Sequence, residues 1–406
     1  MKLLGIETSC DETAAAVVED GQRLLSNVVA SQIDIHAQYG GVVPEVAARS
    51  HVEVINPVIN QALADANLTW DDIDGIAVTY APGLVGSLLI GTLAARTLAL
   101  IKNKPLYPVH HVEAHVYANF IIEDSTNPTE SPLTIKSTET SAARVSRGAE
   151  ALAETRSDAV SGNFDSEKAR TNGLLLPSKQ PEFPLLALIV SGGHTQLVLF
   201  RGHGDYELIG RTRDDAVGEA FDKVAKIIGL PYPGGPSIAK AAELGDPKKY
   251  KLPKARLARS YDFSFSGLKT AVLRAVQREV GVDIAFPSYE LAGLLSDKQR
   301  YDFAASFQQT AIETLVDTTE RAFHDYAPKS VVIAGGVAAS QALRAQLASR
   351  LTIPIEYAPM ALCTDNAAMI AALGYYMALE VPATDPRRLE AIPSLSMTET
   401  AWHTVV

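Results

Sequence analysis

The chain has 406 residues, of which 47% are hydrophobic and 20% charged, and it carries a net charge of −11. That composition excludes a disordered or collagen-like chain, and the length suits two or three domains that each bury a core. The acidic balance repels nucleic acid globally, so RNA must meet a local basic patch or a partner subunit. Two cysteines far apart, Cys10 and Cys363, leave no disulfide framework or Cys-based zinc finger, which fits a reducing, cytoplasmic setting.

The N-terminal apolar run in MKLLGIETSCDET breaks at Glu7, too soon for a signal peptide. KLLGIET reads as a strand, SCDE as a polar turn, and TAAAVVE as a second strand. Asp20-Gly21 then signals a hairpin into a third strand, RLLSNVVA. Further on, the strand DGIAVTYA runs through Pro82-Gly83 into a long apolar stretch ending at Ile101. That stretch contains Ser87, Thr92, Arg96 and Thr97, so a buried helix is expected and no membrane span. PLYPV and the helix HHVEAHVYANFI close the first half, taken as residues 1–123.

Residues 124–183 are read as a polar, disordered insertion. Between 124 and 180, 16 residues are Ser or Thr, 16 are hydrophobic and only Phe164 is aromatic, too little apolar surface to offset ordering entropy.

Residues 184–382 repeat the first plan. PLLALIV, the turn SGGH, TQLVLF, the turn RGHGD and YELIGRT form a second meander. SVVIA then leads through Gly335-Gly336 into AASQALRAQLASR, and PIEYA leads into CTDNAAMIAALGYYM. The chain is therefore expected to be an α/β protein of two duplicated lobes around a central cleft, followed by a loosely packed polar tail, 383–406. Ligands gather beyond the carboxyl ends of such strands, which puts both turns and both closing-helix starts at one cleft.

His111 and His115 are four apart in HVEAH, stacked on one helix face and close enough to share a metal ion. Asp365 in CTDNAA holds the matching position of the other half. Two His and one carboxylate leave metal positions open for water or substrate. The competing reading is a surface His pair without a metal and an Asp that caps its helix. Glu113 sits two past His111, about 200° around the helix, so the H-E-x-x-H geometry of zinc peptidases is not met.

The turn Ser191-Gly192-Gly193-His194 suits a phosphate cradle, because glycines let backbone N–H groups approach an anion. Asp11 and Glu12 in the opposite turn could hold a metal, accept from ribose hydroxyls or act as a base. Asp222 is a candidate for ribose hydroxyls, and Gly234 and Gly235 open a helix whose amides could meet a nucleotide. Each of these also reads as an ordinary turn or solvated acid. Lys248, Lys249, Lys251, Lys254, Arg256 and Arg259 form the best basic footprint for RNA phosphate, or a solvated loop.

Together the segments GIETSCDET, HHVEAH, VSGGHTQL, GEAFDKVAKIIGLPYPGGP, FSFSGLKTA, AGGVAAS and CTDNAAMI resemble the tRNA adenosine threonylcarbamoyltransferase family, earlier labelled glycoproteases. The resemblance implies the actin-like, ATPase-type fold shared with sugar kinases and Hsp70-type ATPases. It implies transfer of threonylcarbamoyl from threonylcarbamoyl-AMP to the adenosine 3′ of the anticodon in tRNAs reading ANN codons. His111, His115 and Asp365 would then bind one divalent metal, Fe(2+) in preference to Zn(2+). Ile189, Val190, Ser191, Gly192, Gly193, Asp222 and Gly235 would bind the donor, and Asp11 or Glu12 would take the proton. A paralogous actin-like subunit and a small ATPase subunit are the implied partners.

The chain departs from the family pattern in its long insertion and at four positions. Ser340 stands where an Asn is usual, Ala239 where some relatives have Asp, and Ala81 and Ala114 where Gly is usual. The alternatives are an actin-like ATPase or small-molecule kinase using the same phosphate turns with Mg²⁺, a metallopeptidase, and a non-catalytic nucleotide-binding subunit.

Overall fold

A computed structural model describes residues 1–123, 136–137, 176–255, 257, 261–399 and 402. The N-terminal apolar runs form β1 (Lys2–Glu7), β2 (Glu12–Glu19) and β3 (Arg23–Ser31), paired as an antiparallel meander. Asp20 and Gly21 turn the chain between the last two with φ of 52° and 69°. Helices α1 (Ile33–Ala37) and α2 (Pro44–Asp65) follow. Strand β4 (Gly75–Ala81) is parallel to β1 and wholly buried, which is why its sequence is apolar apart from Thr79. Helix α3 (Val85–Lys102), strand β5 (Leu106–His110) and helix α4 (His111–Tyr117) complete the half. A short β6 (Lys136–Ser137) adds at the far edge, parallel to β3.

The second half has the meander β7 (Leu185–Val190), β8 (Thr195–Gly202) and β9 (Asp205–Arg211). Helices α5 (Val217–Ile228), α6 (Gly234–Ala242), α7 (Ser266–Glu279) and α8 (Asp297–Tyr326) come next. Then follow β10 (Ser330–Ala334), α9 (Gln341–Arg350), β11 (Ile355–Tyr357), α10 (Met360–Cys363) and α11 (Ala367–Glu380). The strand orders are β5-β4-β1-β2-β3-β6 and β11-β10-β7-β8-β9. Apart from β6 the two sheets have one order and one set of strand directions, so the fold is the duplicated actin-like plan.

The two closing helices are exchanged between the sheets. Helix α11 lies on β1, β2, β4 and β5, while α4 reaches β7 and β10, and the two helices pack on each other. Small residues allow this approach: a Cβ on Gly5 would sit 2.2 Å from the Ala367 carbonyl oxygen, and one on Gly374 would sit 2.5 Å from Ala77 Cβ. Ala367 through Leu373 are all fully buried. Burying Met369, Ile370 and Leu373 is worth about 1.5–3 kcal/mol each, which holds α11 firmly to the first sheet. One core runs through both sheets and both exchanged helices, and a second lies under α2 and α3.

Three expectations need correction. The insertion lies outside the described residues except for 136–137 and 176–183, and its last part is packed rather than disordered. Gln180 Nε2 donates to the Phe120 carbonyl and to Tyr376 Oη, each at 3.0 Å. The tail is packed as far as it is described. Thr384 N donates to Leu106 O, Ile392 N to Tyr80 O and Tyr206 Oη to Met397 O, and Leu389 and Met397 are buried, so backbone hydrogen bonds and two apolar anchors fix a largely polar segment. Helix α3 is buried on one face only. Val85, Leu89 and Leu93 recur every fourth residue on its outer face and are exposed, with Val52 of α2 also exposed.

Candidate metal and donor site

The exchange of helices brings the three candidate metal ligands together. His111 opens α4 and His115 follows one turn later, with ring centroids 4.7 Å apart. Asp365 immediately precedes Asn366, the cap of α11, whose side chain accepts from Met369 N at 3.1 Å. Asp365 Oδ1 lies 3.5 Å from His111 Nε2 and 3.3 Å from His115 Nε2. All three donor atoms fall within 4.8 Å of one another.

The set fits a metal ion on two grounds. Donor atoms about 2.1 Å from one tetrahedral ion stand about 3.4 Å apart, the spacing from Asp365 to either imidazole. Moreover, both ring nitrogens of His115 are buried; Nδ1 has no hydrogen bond among the described residues, and Nε2 meets the Asp365 carboxylate at 3.3 Å without a well-formed one. A buried imidazole so poorly satisfied is costly unless something is meant to bind it. Burial disfavours the charged form of His111, but Glu7 and Asp365 outweigh it and raise its pKa to about 9. Burial would likewise lift Asp365, yet His111 and His115 hold its carboxyl well below the usual range. The pocket is therefore built to hold positive charge.

Glu113 points away from this face, as its position two past His111 requires. Its Oε2 lies 3.2 Å from Tyr206 Oη, and burial raises its pKa to about 8. It offers no base to the metal face, which removes the peptidase geometry.

The candidate donor turn, Ser191 to His194, lies between β7 and β8. Ser191 N donates to His194 O at 2.8 Å and His194 N donates to Ser191 Oγ at 3.1 Å, closing the turn. Gly192 and Gly193 are exposed, and a Cβ on either, or on Gly235, would meet no atom within 4 Å. These three glycines thus face open space that a phosphate or sugar could occupy. Gly234 serves differently: a Cβ there would meet Asp222 Cα at 2.5 Å, and its N–H donates to Asp222 Oδ1 at 2.7 Å. Ile189 and Val190 are fully buried inside β7, so only their backbone faces any ligand.

Asp11 and Glu12 stand near the metal residues. Burial, Asp11 and Asp365 push the Glu12 carboxyl well above its usual pKa, and Ser31 Oγ donates to it at 3.3 Å. Burial and the charges on Glu219 and Asp11 also raise Asp222, so Asp11 of the first half acts on the second half across the cleft. Ser340, in place of the usual Asn, is committed to its own helix, its Oγ accepting from Leu343 N at 3.4 Å. In the basic run, Lys254 is paired with Glu313 at 2.6 Å and Asp317 at 2.8 Å. Lys248, Lys249 and Lys251 are exposed, while Arg256 and Arg259 lie outside the described residues.

The family model for tRNA N6-adenosine threonylcarbamoyltransferase matches residues 23–179 and 168–372. The chain belongs to that family. A tRNA N6-adenosine threonylcarbamoyltransferase of Thermomicrobium roseum is 47% identical over 389 residues, covering 93% of this chain and 92% of the relative. One from Symbiobacterium thermophilum is 46% identical over 398 residues, covering 97% and 96%. Solved structures give weaker likenesses. The (R)-2-hydroxyglutaryl-CoA dehydratase component A of Acidaminococcus fermentans matches at TM-score 0.44 and 14% identity, covering 93% of this chain and 99% of that one. YeaZ from Pseudomonas aeruginosa matches at TM-score 0.22 and 19% identity, covering 28% and 46%.

Sequence reasoning overlooked Glu7 as a site residue. It is fully buried at the end of β1 and reaches His111. The available signal was a carboxylate ending an otherwise apolar strand, used above only to exclude a signal peptide.

Proposed function

We propose that this family member transfers threonylcarbamoyl from threonylcarbamoyl-AMP to N6 of the adenosine 3′ of the anticodon, in the cleft between its two sheets. The convergence of His111, His115 and Asp365 from opposite halves is the observation that carries this reading. These three side chains would hold one divalent metal, Fe(2+) in preference to Zn(2+). When bound, such an ion supplies Lewis acidity toward a donor oxygen.

The rest falls to the chain itself. Amides of Gly192 and Gly193, at the tip of the turn that Ser191 closes, receive the donor phosphate and the charge that grows on it as AMP departs. Asp222 and the first turn of α6 at Gly235 accept the ribose and adenine side of the donor. N6 forms its bond to the carbamoyl carbon as the bond from that carbon to the phosphate oxygen breaks. An adenine amine is a poor nucleophile, so alignment beside the donor provides much of the rate. Asp11 or Glu12, the two carboxylates in the turn between β1 and β2, takes the N6 proton.

The exposed row Val85, Leu89 and Leu93 on α3 suits a paralogous actin-like subunit, with a small ATPase completing the assembly in the cytoplasm. The test replaces His111 by Ala and measures threonylcarbamoylation of tRNA and bound metal in the assembled complex. Loss of both is expected. Undiminished activity with no metal in either protein would sink the metal-centred reading.

A further inference from the structure

We infer that Glu7 is the positioning residue that presets His111 for the metal, and that the two histidines are therefore unequal ligands. The inference rests on the metal reading above. Glu7 has no exposed surface, and each of its oxygens is engaged. Oε1 accepts from Ser9 N at 2.5 Å. Oε2 accepts from Thr79 Oγ1 at 2.5 Å and lies 3.0 Å from His111 Nδ1. Its donors come from the turn after β1, from β4 and from α4, so the carboxylate is fixed from three directions.

A carboxylate that already takes two hydrogen bonds has nothing to donate, so Nδ1 of His111 must carry the proton in that contact. Ser9 Oγ, 3.2 Å from the same nitrogen, sits as its second neighbour. The Nδ1–H tautomer leaves the lone pair on Nε2, the nitrogen that faces Asp365. Partners of this kind fix the ring orientation of a ligand histidine and raise its basicity. His115 has no counterpart: its Nδ1 is buried without a hydrogen bond among the described residues. His111 is thus oriented through Nδ1 before any ion arrives, whereas the Nδ1 side of His115 is held by packing.

The test uses the full chain, Co²⁺ as a spectroscopic probe and Zn²⁺ as a competitor. Glu7→Gln keeps the shape of the side chain but sets an amide against donors. It should weaken metal binding by about 10–100-fold and alter the cobalt absorption bands, with the folded state retained in circular dichroism. Glu7→Asp, a shorter carboxylate, should recover part of the affinity. Wild-type affinity and an unchanged cobalt spectrum in folded Glu7→Gln would overturn the inference.

A second measurement needs no variant. In zinc-loaded protein with ¹⁵N-labelled histidine, His111 should show a protonated Nδ1 and an Nε2 signal displaced by the ion. An Nε2–H tautomer would refute the assignment. A wild-type chain that binds neither ion would instead overturn the metal reading beneath it.

Discussion

At the scale of single residues, the site is an arrangement of opposite charges whose balance an ion can replace. Glu7 and Asp365 flank His111, and against the cost of burial they raise its pKa to about 9. A divalent ion held by His111, His115 and Asp365 would supply the same positive charge to those carboxylates. Asp365→Asn keeps the volume but removes the charge that draws the two imidazoles together. Its metal content should fall to background. Its rate of tRNA threonylcarbamoylation should drop by more than the roughly 10–100-fold usual for residues one step removed from a metal. Elemental analysis and a single-turnover assay check both.

At the scale of elements, the exchange of α4 and α11 makes the site possible. Each ligand-bearing helix start is braced by the sheet of the other half, so His111, His115 and Asp365 keep their spacing only while both helices stay seated. Gly5 is the tightest point, because a methyl there would press on the Ala367 carbonyl, which is backbone and cannot swing aside. Gly5→Ala should destabilise the fold by about 1–3 kcal/mol, read from urea unfolding. It should also weaken metal binding, because α11 carries Asp365 at its head. Helix α3 makes a separate prediction. Leu89→Lys sits on its exposed face, so stability should change by no more than about 0.5 kcal/mol. Association with the proposed paralogous subunit, measured by calorimetry, should weaken at least about tenfold, since a buried, unpaired charge costs several kcal/mol.

At the scale of the whole molecule, pH dependence follows from buried histidines distant from the cleft chemistry. His203 stacks on Tyr376 with centroids 3.8 Å apart, near Phe120 and Phe183, and burial pulls its pKa down to about 4. An unfolded histidine titrates near 6.5, so between about pH 6.5 and 4 the unfolded chain binds the extra proton. The contribution is complete above pH 6.5 and is lost as pH falls through that window. His203→Phe should flatten the fall in urea midpoint between pH 6.5 and 4.5 and leave the midpoint at pH 8 nearly unchanged. The tail belongs to this scale too. It runs from Thr384 on Leu106, past Ile392 on Tyr80, to Met397 on Tyr206, tying the first sheet to β9 of the second.

The local sequence determined the strands, the turns and the resemblance, because apolar runs, Gly-rich turns and the i,i+4 histidine pair are short-range signals. It also placed Asp365 at the matching point of the second half and turned Glu113 away from the metal face, both consequences of helical and strand periodicity. Tertiary structure alone decided which sheet each closing helix covers, that the polar tail is bound through its backbone, and that one face of α3 stays bare. It alone brought Glu7 to His111 across 104 residues of chain. A buried carboxylate at a strand end looks the same in sequence whether it caps a turn or orients a ligand. The difference lies in what packs against it, and packing is set by residues far away along the chain.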